Sequence, residues 1–369
     1  MKKGILSFII ILLFGTISGF AKKSNEVTKG VWLTNVGSDA MFSYEGMVKV
    51  VEDCEKYGIN TIYTVTWNRG YTLYPSSIME DQFGISIDPK FEGRDPLKEL
   101  IDLAKPKGIK VVAWFEFGFS YRYKDEGNTK LMDSRPDWVA LDNQGNPAQK
   151  NNFYWMNAFN PEVQQFLTSL VLEVVNNYDV DGIQGDDRMP ALPSLAGYEP
   201  YTIEKYKQAH GGAAPPQDYK EEGWVQWRSD ILTHYLTDLY DAVKKADPEC
   251  MVSMAPSIYP WCKSEYLQDW PQWIKNGKVD EICPQVYRYS FEAYEKTLQE
   301  NVLDHMSRKE VKKLLNPGIL LKVEDFDAQE DLLKQIVEHN RSKGILGETW
   351  FYYQGLPEND QFFSTYPNM

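Results

Sequence analysis

Eight β-patterned runs alternate with helical ones along this chain of 369 residues, and the links between them are lopsided. The strand runs are residues 31–36, 60–67, 110–117, 182–186, 251–255, 281–287, 314–320 and 345–353. Helical patterns fall at 44–57, 96–105, 161–177, 223–245, 291–305 and 328–342. The clearest is 161–177, where Val163, Phe166, Leu167, Leu170, Val174 and Val175 recur at the spacing of one buried helix face. Asn160 is placed to cap it, and Pro161 suits a first turn that has no use for its missing N–H. Asp327, three residues before Glu330, reads as a capping-box start for the last helix. Helix-to-strand links are short, as in Tyr57-Gly58-Ile59 and Lys107-Gly108. Strand-to-helix links are long, covering 68–95, 118–160 and 188–222. Repeated alternation of strand and helix calls for a parallel sheet flanked by helices. Eight strands alternating with helices, with the long links at one end, predict an α/β fold, a (β/α)8 TIM barrel whose long βα loops build a site on that face. Only 16 residues follow Tyr353, so the last helix is expected to be short or irregular.

Residues 1–21 are expected to lie outside the fold. Lys2 and Lys3 precede an apolar run at 5–13, and Ser18-Gly19-Phe20-Ala21 offers a small-residue cleavage site, the pattern of a secretory signal peptide. The run is shorter than the ~20 residues of a spanning helix, and no later segment reaches that length, so no membrane span is expected after signal removal. This predicts an exported chain, periplasmic or extracellular, with one domain over 22–369. The tip at 210–217 is a loop, not a linker. The net charge of −14 disfavours nucleic acid and anionic membrane surfaces as partners. Cys54 shares an apolar face with Met47, Val50 and Val51 and reads as core. One disulfide among Cys250, Cys262 and Cys283 is open in an oxidising compartment. There is no C-x-x-C, which excludes a zinc ribbon or a thioredoxin-type site.

Chemistry concentrates at the strand tips. Val180-Asp181-Gly182-Ile183-Gln184-Gly185-Asp186-Asp187-Arg188 is a short buried strand ending in two carboxylates and an arginine. Alternation puts Gln184 and Asp186 on one face and Ile183 and Gly185 on the other, so Asp186 is expected inside the barrel mouth. By the same rule Trp114 shares a face with Glu116, and Glu348 with Trp350, Tyr352 and Gln354. No dinucleotide fingerprint, P-loop or nucleophile elbow is present. His210, His234, His305 and His339 fall in or beside helices, which argues against a histidine zinc site or a Ser-His-Asp triad. No metal or other cofactor is assigned. What remains is carboxylate, amide, tyrosine and tryptophan, the equipment of glycoside cleavage: one acid protonates the leaving oxygen, and a second carboxylate attacks or activates water. The catalytic candidates are Asp186, Asp187, Glu116 and Glu348. Adjacent like charges at Asp186 and Asp187 tend to raise one pKa, which suits acid work. Trp32, Trp67, Trp114 and Trp350 lie in or just after strands, where indole faces can stack on sugar rings. Asn35, Asn68, Arg69, Gln184, Arg188, Gln285, Tyr287, Arg288 and Gln354 can read hydroxyls or a carboxylate. Each has a plainer reading too: an acid paired with arginine, a buried acid satisfied by hydrogen bonds, a core tryptophan.

These residues resemble the bacterial glycosyl-hydrolase-like 10 family, exported TIM-barrel proteins. The resemblance runs from about Gly30 to Leu356. It rests on Gly30-Val31-Trp32-Leu33-Thr34, Ala113-Trp114-Phe115-Glu116, Asn160-Pro161-Glu162-Val163, the block from Asn177 to Arg188, Pro284-Gln285-Val286-Tyr287-Arg288, and Phe351-Tyr352-Tyr353-Gln354-Gly355-Leu356. The block at strand four is the most specific. The resemblance implies a glycoside hydrolase-type barrel, and a characterised relative looks like a cell-envelope enzyme that cuts peptide-free peptidoglycan glycan strands. Asp181-Gly182-x-x-x-Asp186 is also similar to the strand-four signature of α-amylase-like barrels, which implies a nucleophile's role for Asp186. Two positions depart. Gln184 stands where the amylase-like pattern has a basic residue, and Gln354 where family members commonly have Glu. The second departure leaves the acid to Glu116 or Glu348. The expected function is hydrolysis of glycosidic bonds in a polysaccharide or cell-envelope glycan by paired carboxylates, with the glycan as the only partner called for. The alternative is a non-catalytic carbohydrate-binding barrel that keeps the aromatic cleft without a competent acid.

Overall fold

The structure, a computed structural model, describes residues 27–369; the signal peptide expected at 1–21 lies outside the described residues. Eight parallel strands form the centre: β1 (Lys29–Leu33), β2 (Thr61–Val65), β3 (Lys110–Phe115), β4 (Gly182–Asp186), β5 (Met251–Ala255), β6 (Glu281–Ile282), β7 (Gly318–Leu320) and β8 (Glu348–Phe351). They pair in the order β6-β5-β4-β3-β2-β1-β8-β7. The sheet closes where the chain after β6 meets β7: Gly318 donates its N–H to the Pro284 carbonyl at 2.9 Å, and Val286 donates to the Gly318 carbonyl at 3.0 Å. A closed ring leaves no strand edge unpaired and sends alternate side chains inward. Trp32 shows the interior: its ring lies 5.8 Å from Tyr63, 6.3 Å from Trp114 and 6.0 Å from Phe351, contacts across β2, β3 and β8 that only an inward side chain can make.

Helices α1 (Tyr44–Lys56), α2 (Pro96–Ala104), α3 (Pro161–Asn177), α4 (Glu222–Ala246), α5 (Trp270–Lys275), α6 (Phe291–Asn301), α7 (Glu330–Ser342) and α8 (Asp360–Thr365) follow the eight strands in turn. The Asn160 carboxamide caps α3, accepting the Glu162 N–H at 2.9 Å, and the face read from the sequence is buried except for Val175, which is half-buried. The capping box read at Asp327 does not form. Gln329 precedes α7 without a side-chain cap, and Asp327 instead pairs with Lys322 at 2.6 Å across a two-stranded hairpin. α5 carried no periodic signal because it spans only six residues. All four cysteines are free and buried, so the disulfide left open for Cys250, Cys262 and Cys283 is not made. Among the described residues no helix is long and apolar enough to cross a membrane.

The long βα loops are built structures. The loop after β3 carries a small antiparallel sheet that includes Ser120–Tyr123 and Phe153–Trp155. The loop after β4 carries a helix, Pro200–Ala209. Arg228 of α4, fully buried, donates to the carbonyls of Ser194, Ala196 and Tyr219 in that loop and lies 4.2 Å from the Trp224 ring. Burial lowers its pKa to about 9.

Strand β8 corrects the face assigned to it. Thr349 and Phe351 point inward, whereas Glu348 and Trp350 point out to the helices. Trp350 packs on Phe362, Phe363 and Tyr366 at 5.8, 5.3 and 5.3 Å. Glu348 accepts from Arg341 at 2.6 and 3.1 Å, from Asn340 at 3.1 Å and from Tyr366 at 2.7 Å. The strand is four residues long and buried on both faces, so alternation alone could not set its parity. The partners that do set it lie in α7 and in the last residues of the chain. Arg341→Met is expected to strand Glu348 without its cation and to cost ~3–5 kcal/mol of stability, read by urea unfolding. A loss below ~1 kcal/mol, the scale of a surface pair, would mean that the pair does not hold the C-terminal segment down.

Candidate active site

Strands β3 and β4 pair in register, with Gly185 opposite Phe115, so their tips set Glu116 beside Asp186. Here the barrel opens into a pocket of about 150 Å³. Glu116, Asp186, Asp187 and Arg188 line it together with Trp32, Trp114, Tyr287 and Phe351; Gln285 and Ala255 complete it.

Arg188 organises the charges. Its Nε donates to the Glu116 carbonyl at 2.8 Å. Its Nη2 lies 3.5 Å from Glu116 Oε1 and 3.2 Å from Asp186 Oδ2, and its Nη1 lies 3.3 Å from Asp187 Oδ1. Phe153 and Phe117 pack on the guanidinium at 4.8 and 5.3 Å. Asp186 also accepts the Arg188 backbone N–H at 2.9 Å and the Trp114 indole N–H at 3.2 Å. Gln268 donates to the Asp186 carbonyl at 2.8 Å and fixes the tip from behind. Asn68 donates to Glu116 Oε2.

Three carboxyl groups thus face one cation inside a buried pocket. Burial pushes the Asp186 carboxyl well above the usual carboxylate range; Arg188 pulls it down, and Asp187 and Glu116 push it further up. Burial also raises Glu116, against the pull of Arg188 and Asn68. One guanidinium cannot balance three anions here, so the cluster keeps a proton to higher pH than free carboxyls do.

Beneath the pocket a hydrogen-bond chain runs one way. The Trp32 indole can only donate, and does so to Gln184 Oε1 at 2.7 Å. The Gln184 amide must then donate onward, to Ser253 Oγ at 2.9 Å, and the serine proton goes to Glu281 Oε2 at 2.8 Å. Tyr63 donates to the same oxygen at 2.6 Å. Trp32 is held in the pocket by a relay that ends on a buried carboxylate.

Of the residues singled out by sequence, Trp32, Trp114, Glu116, Asp186, Asp187, Arg188, Gln285 and Tyr287 line the pocket. Asn68 and Gln184 support it through the bonds above. Arg69 stands nearby, paired with Glu126 at 3.1 Å and close enough to Glu116 to draw its pKa down. The others lie elsewhere. Trp67 is core, donating to the Gly118 carbonyl at 2.9 Å and packing edge-on to Phe166. Arg288 turns toward α6 and donates to Thr297 at 2.8 Å. Gln354 accepts the Ser38 hydroxyl at 3.1 Å, and half-buried Asn35 is not among the lining residues. Glu348 and Trp350 sit on the outer face of β8. Phe351, Ala255 and Gln268 escaped sequence reasoning. Ala255 ends β5 directly opposite Asp186, a signal that inter-strand register would have supplied. Among the described residues no group of three or more His, Cys, Asp or Glu side chains is arranged to hold a metal ion.

A closed parallel barrel with carboxylates and aromatics gathered at its strand tips has the architecture of the TIM-barrel glycoside hydrolases. The chain superposes on the PgaB (BpsB) glycoside hydrolase domain from Bordetella bronchiseptica with a TM-score of 0.69, over 92% of this chain and 98% of that one, at 12% identity. On the catalytic domain of β-amylase from Paenibacillus polymyxa the TM-score is 0.59, over 89% and 93%, again at 12% identity. These likenesses show the fold. The glycosyl hydrolase-like 10 family matches residues 27–320, and the chain belongs to that family. It is 25% identical over 308 residues to glycosyl hydrolase DigH of Escherichia coli (strain CFT073), covering 72% of this chain and 66% of that one. It is 24% identical over 324 residues to glycosyl hydrolase YngK of Bacillus subtilis, covering 78% and 60%. The chain therefore spans less than two thirds of the length of these relatives.

The electrostatics set a pH dependence. A carboxyl whose folded pKa is raised holds its proton longer in the folded state, so unfolding releases protons and stability falls as pH climbs from the unfolded value, ~4 for these groups, through the raised one. Glu116→Gln removes one such group. It is expected to flatten that fall, so that the variant gains on wild type between acid and neutral pH, measured by thermal unfolding across a pH series. Parallel profiles for the two proteins would show that Glu116 carries no excess proton.

Proposed function

We propose that this protein hydrolyses glycosidic bonds in a polysaccharide or cell-envelope glycan, and that its catalytic groups are the carboxyls gathered around Arg188. The observation that carries the reading is that single cluster: three acids and one cation beside Trp32, Trp114, Tyr287 and Phe351 in one pocket. The aromatic faces suit a sugar ring, and the acids suit cleavage at its anomeric carbon. Family resemblance makes peptidoglycan glycan strands the first substrate to try. Export by a signal peptide at 1–21 would bring the single domain 22–369 to the periplasm or the outside, where such glycans lie.

Roles follow from which oxygens are occupied. Burial raises the Asp186 carboxyl, but both of its oxygens hold N–H donors that work against that rise and stabilise the anion, so the hydrogen bonds make Asp186 the nucleophile or the base that activates water. Glu116 Oε1 has only the long contact to Arg188, which leaves it free to carry the cluster's proton, so Glu116 is the acid. Asp187, at 25% side-chain exposure the most open of the three, is their partner and tunes the shared proton. The shared Arg188 Nη2 keeps Glu116 Oε1 and Asp186 Oδ2 within about 6.7 Å of each other, close enough for both carboxyls to act on one glycosidic bond.

Asp186→Asn is expected to lower kcat at least ~10³-fold on every glycoside, measured on a glycan panel by mass spectrometry. Glu116→Gln is expected to lose ~10²–10⁴-fold on natural glycans, yet far less on aryl glycosides whose leaving group needs no proton. Equal losses on both substrate types would move the acid role to Asp187. One observation favours a second reading, a non-catalytic carbohydrate-binding barrel: Asp186 is only 2% exposed and already fully bonded. Firm binding of intact glycan by wild type with no products would establish that reading instead.

A further inference from the structure

We propose that Tyr289, buttressed by Phe326, is a second sugar-stacking subsite on the barrel rim, holding a pyranose ring next to the one in the pocket. The inference rests on the glycan reading above and extends it to how a chain, rather than a single ring, is held. Tyr289 is 67% exposed, the most open large hydrophobic side chain among the described residues. Exposure alone would be ordinary; what singles this ring out is its support and its place beside the pocket. It is not loose: Phe326 meets it edge-on, with ring centroids 4.8 Å apart at 80°. One contact of this kind fixes the ring while leaving most of its surface in water.

The position is continuous with the pocket. Tyr289 lies two residues beyond Tyr287, which lines the pocket, so their Cα atoms are at most ~7 Å apart. Tyr287 stacks on Phe351 with centroids 5.0 Å apart at 27°, and both face the pocket. Phe326 belongs to the hairpin that follows β7, and β7 pairs with β8 on one side and meets the chain after β6 on the other. The Tyr289–Phe326 pair therefore occupies the sector of the rim that Tyr287 and Phe351 border. The pocket itself, at about 150 Å³, is smaller than the ~300–1,000 Å³ that encloses a whole ligand. A glycan chain with one ring inside must run out over the rim, and this sector offers it an open aromatic ring. A face without charge of its own suits the apolar side of a pyranose, whatever the sugar's other substituents.

The test compares wild type, Tyr289→Ala and Tyr289→Phe on a length ladder of peptide-free peptidoglycan glycan strands, from disaccharide upward, by turnover and by titration calorimetry. Tyr289→Ala is expected to raise KM or Kd roughly three- to ten-fold on the longer strands, the size of one lost aromatic contact. It is expected to leave the shortest bound strand and kcat unchanged, and Tyr289→Phe is expected to restore the wild-type values. Tyr289 is exposed, so the alanine variant should fold. Equal losses at all lengths, or none at any length, would overturn the subsite. Wild type that neither cuts nor binds any glycan would overturn the functional reading and the subsite with it, an outcome visible without any variant. Binding without turnover leaves the length dependence measurable by calorimetry and decides the subsite by the same criterion.

Discussion

One buried cation sets the terms for this site. Arg188 touches Asp186, Asp187 and Glu116 at once. At an effective dielectric of ~20, an ion pair at 4 Å is worth ~4 kcal/mol, and repulsion between like charges a few ångströms further apart is only somewhat weaker. One guanidinium can stabilise one carboxylate well and two partly, so burial and mutual repulsion hold Asp186 and Glu116 above the ordinary carboxylate range. Strand pairing brings the tips of β3 and β4 together, Gln268 holds the β4 tip, and Phe117 and Phe153 seat the guanidinium. The built loop after β3 supplies Phe153, so the small sheet at the surface is part of what keeps the cation in place.

The barrel interior answers a second problem. A parallel barrel must fill its centre with side chains, and this one places polar groups there, each of which needs a partner. The solution is directional. An indole that can only donate stands at one end and a carboxylate that accepts twice stands at the other, with Gln184 and Ser253 between them. No member can reverse without stranding a neighbour. This relay accounts for Gln184, which departs from the amylase-like pattern: an amide can accept from Trp32 and donate to Ser253, whereas a lysine or arginine there could only donate.

Much of this was legible in the sequence where periodicity is strong. The alternation of eight strands and the lopsided loops announced the barrel, and α3 was readable to its cap because its apolar face repeats over seventeen residues. The tip of β4 was readable because charged side chains at the end of a buried strand must either pair or line a site, and here two acids share a single arginine. Reading failed where partners come from far along the chain. Glu348 and Trp350 were put on the inner face because nothing local to β8 reveals that Arg341 and the C-terminal aromatics await them outside. Trp67 read as a platform because a strand-end tryptophan looks the same whether it faces sugar or Phe166. Phe351 and Ala255 carry no chemistry of their own and become visible only through register.

The thiols bear on how the molecule comes to be made. Cys54, Cys250, Cys262 and Cys283 are all buried and unpaired, and burial holds every one of them above the ordinary thiol pKa, Cys250 at about 12. A thiol both sheltered and protonated is a poor nucleophile toward any disulfide. The barrel therefore needs no oxidant to hold it together, and once folded its sheltered thiols are poor partners for disulfide exchange in reducing and oxidising surroundings alike.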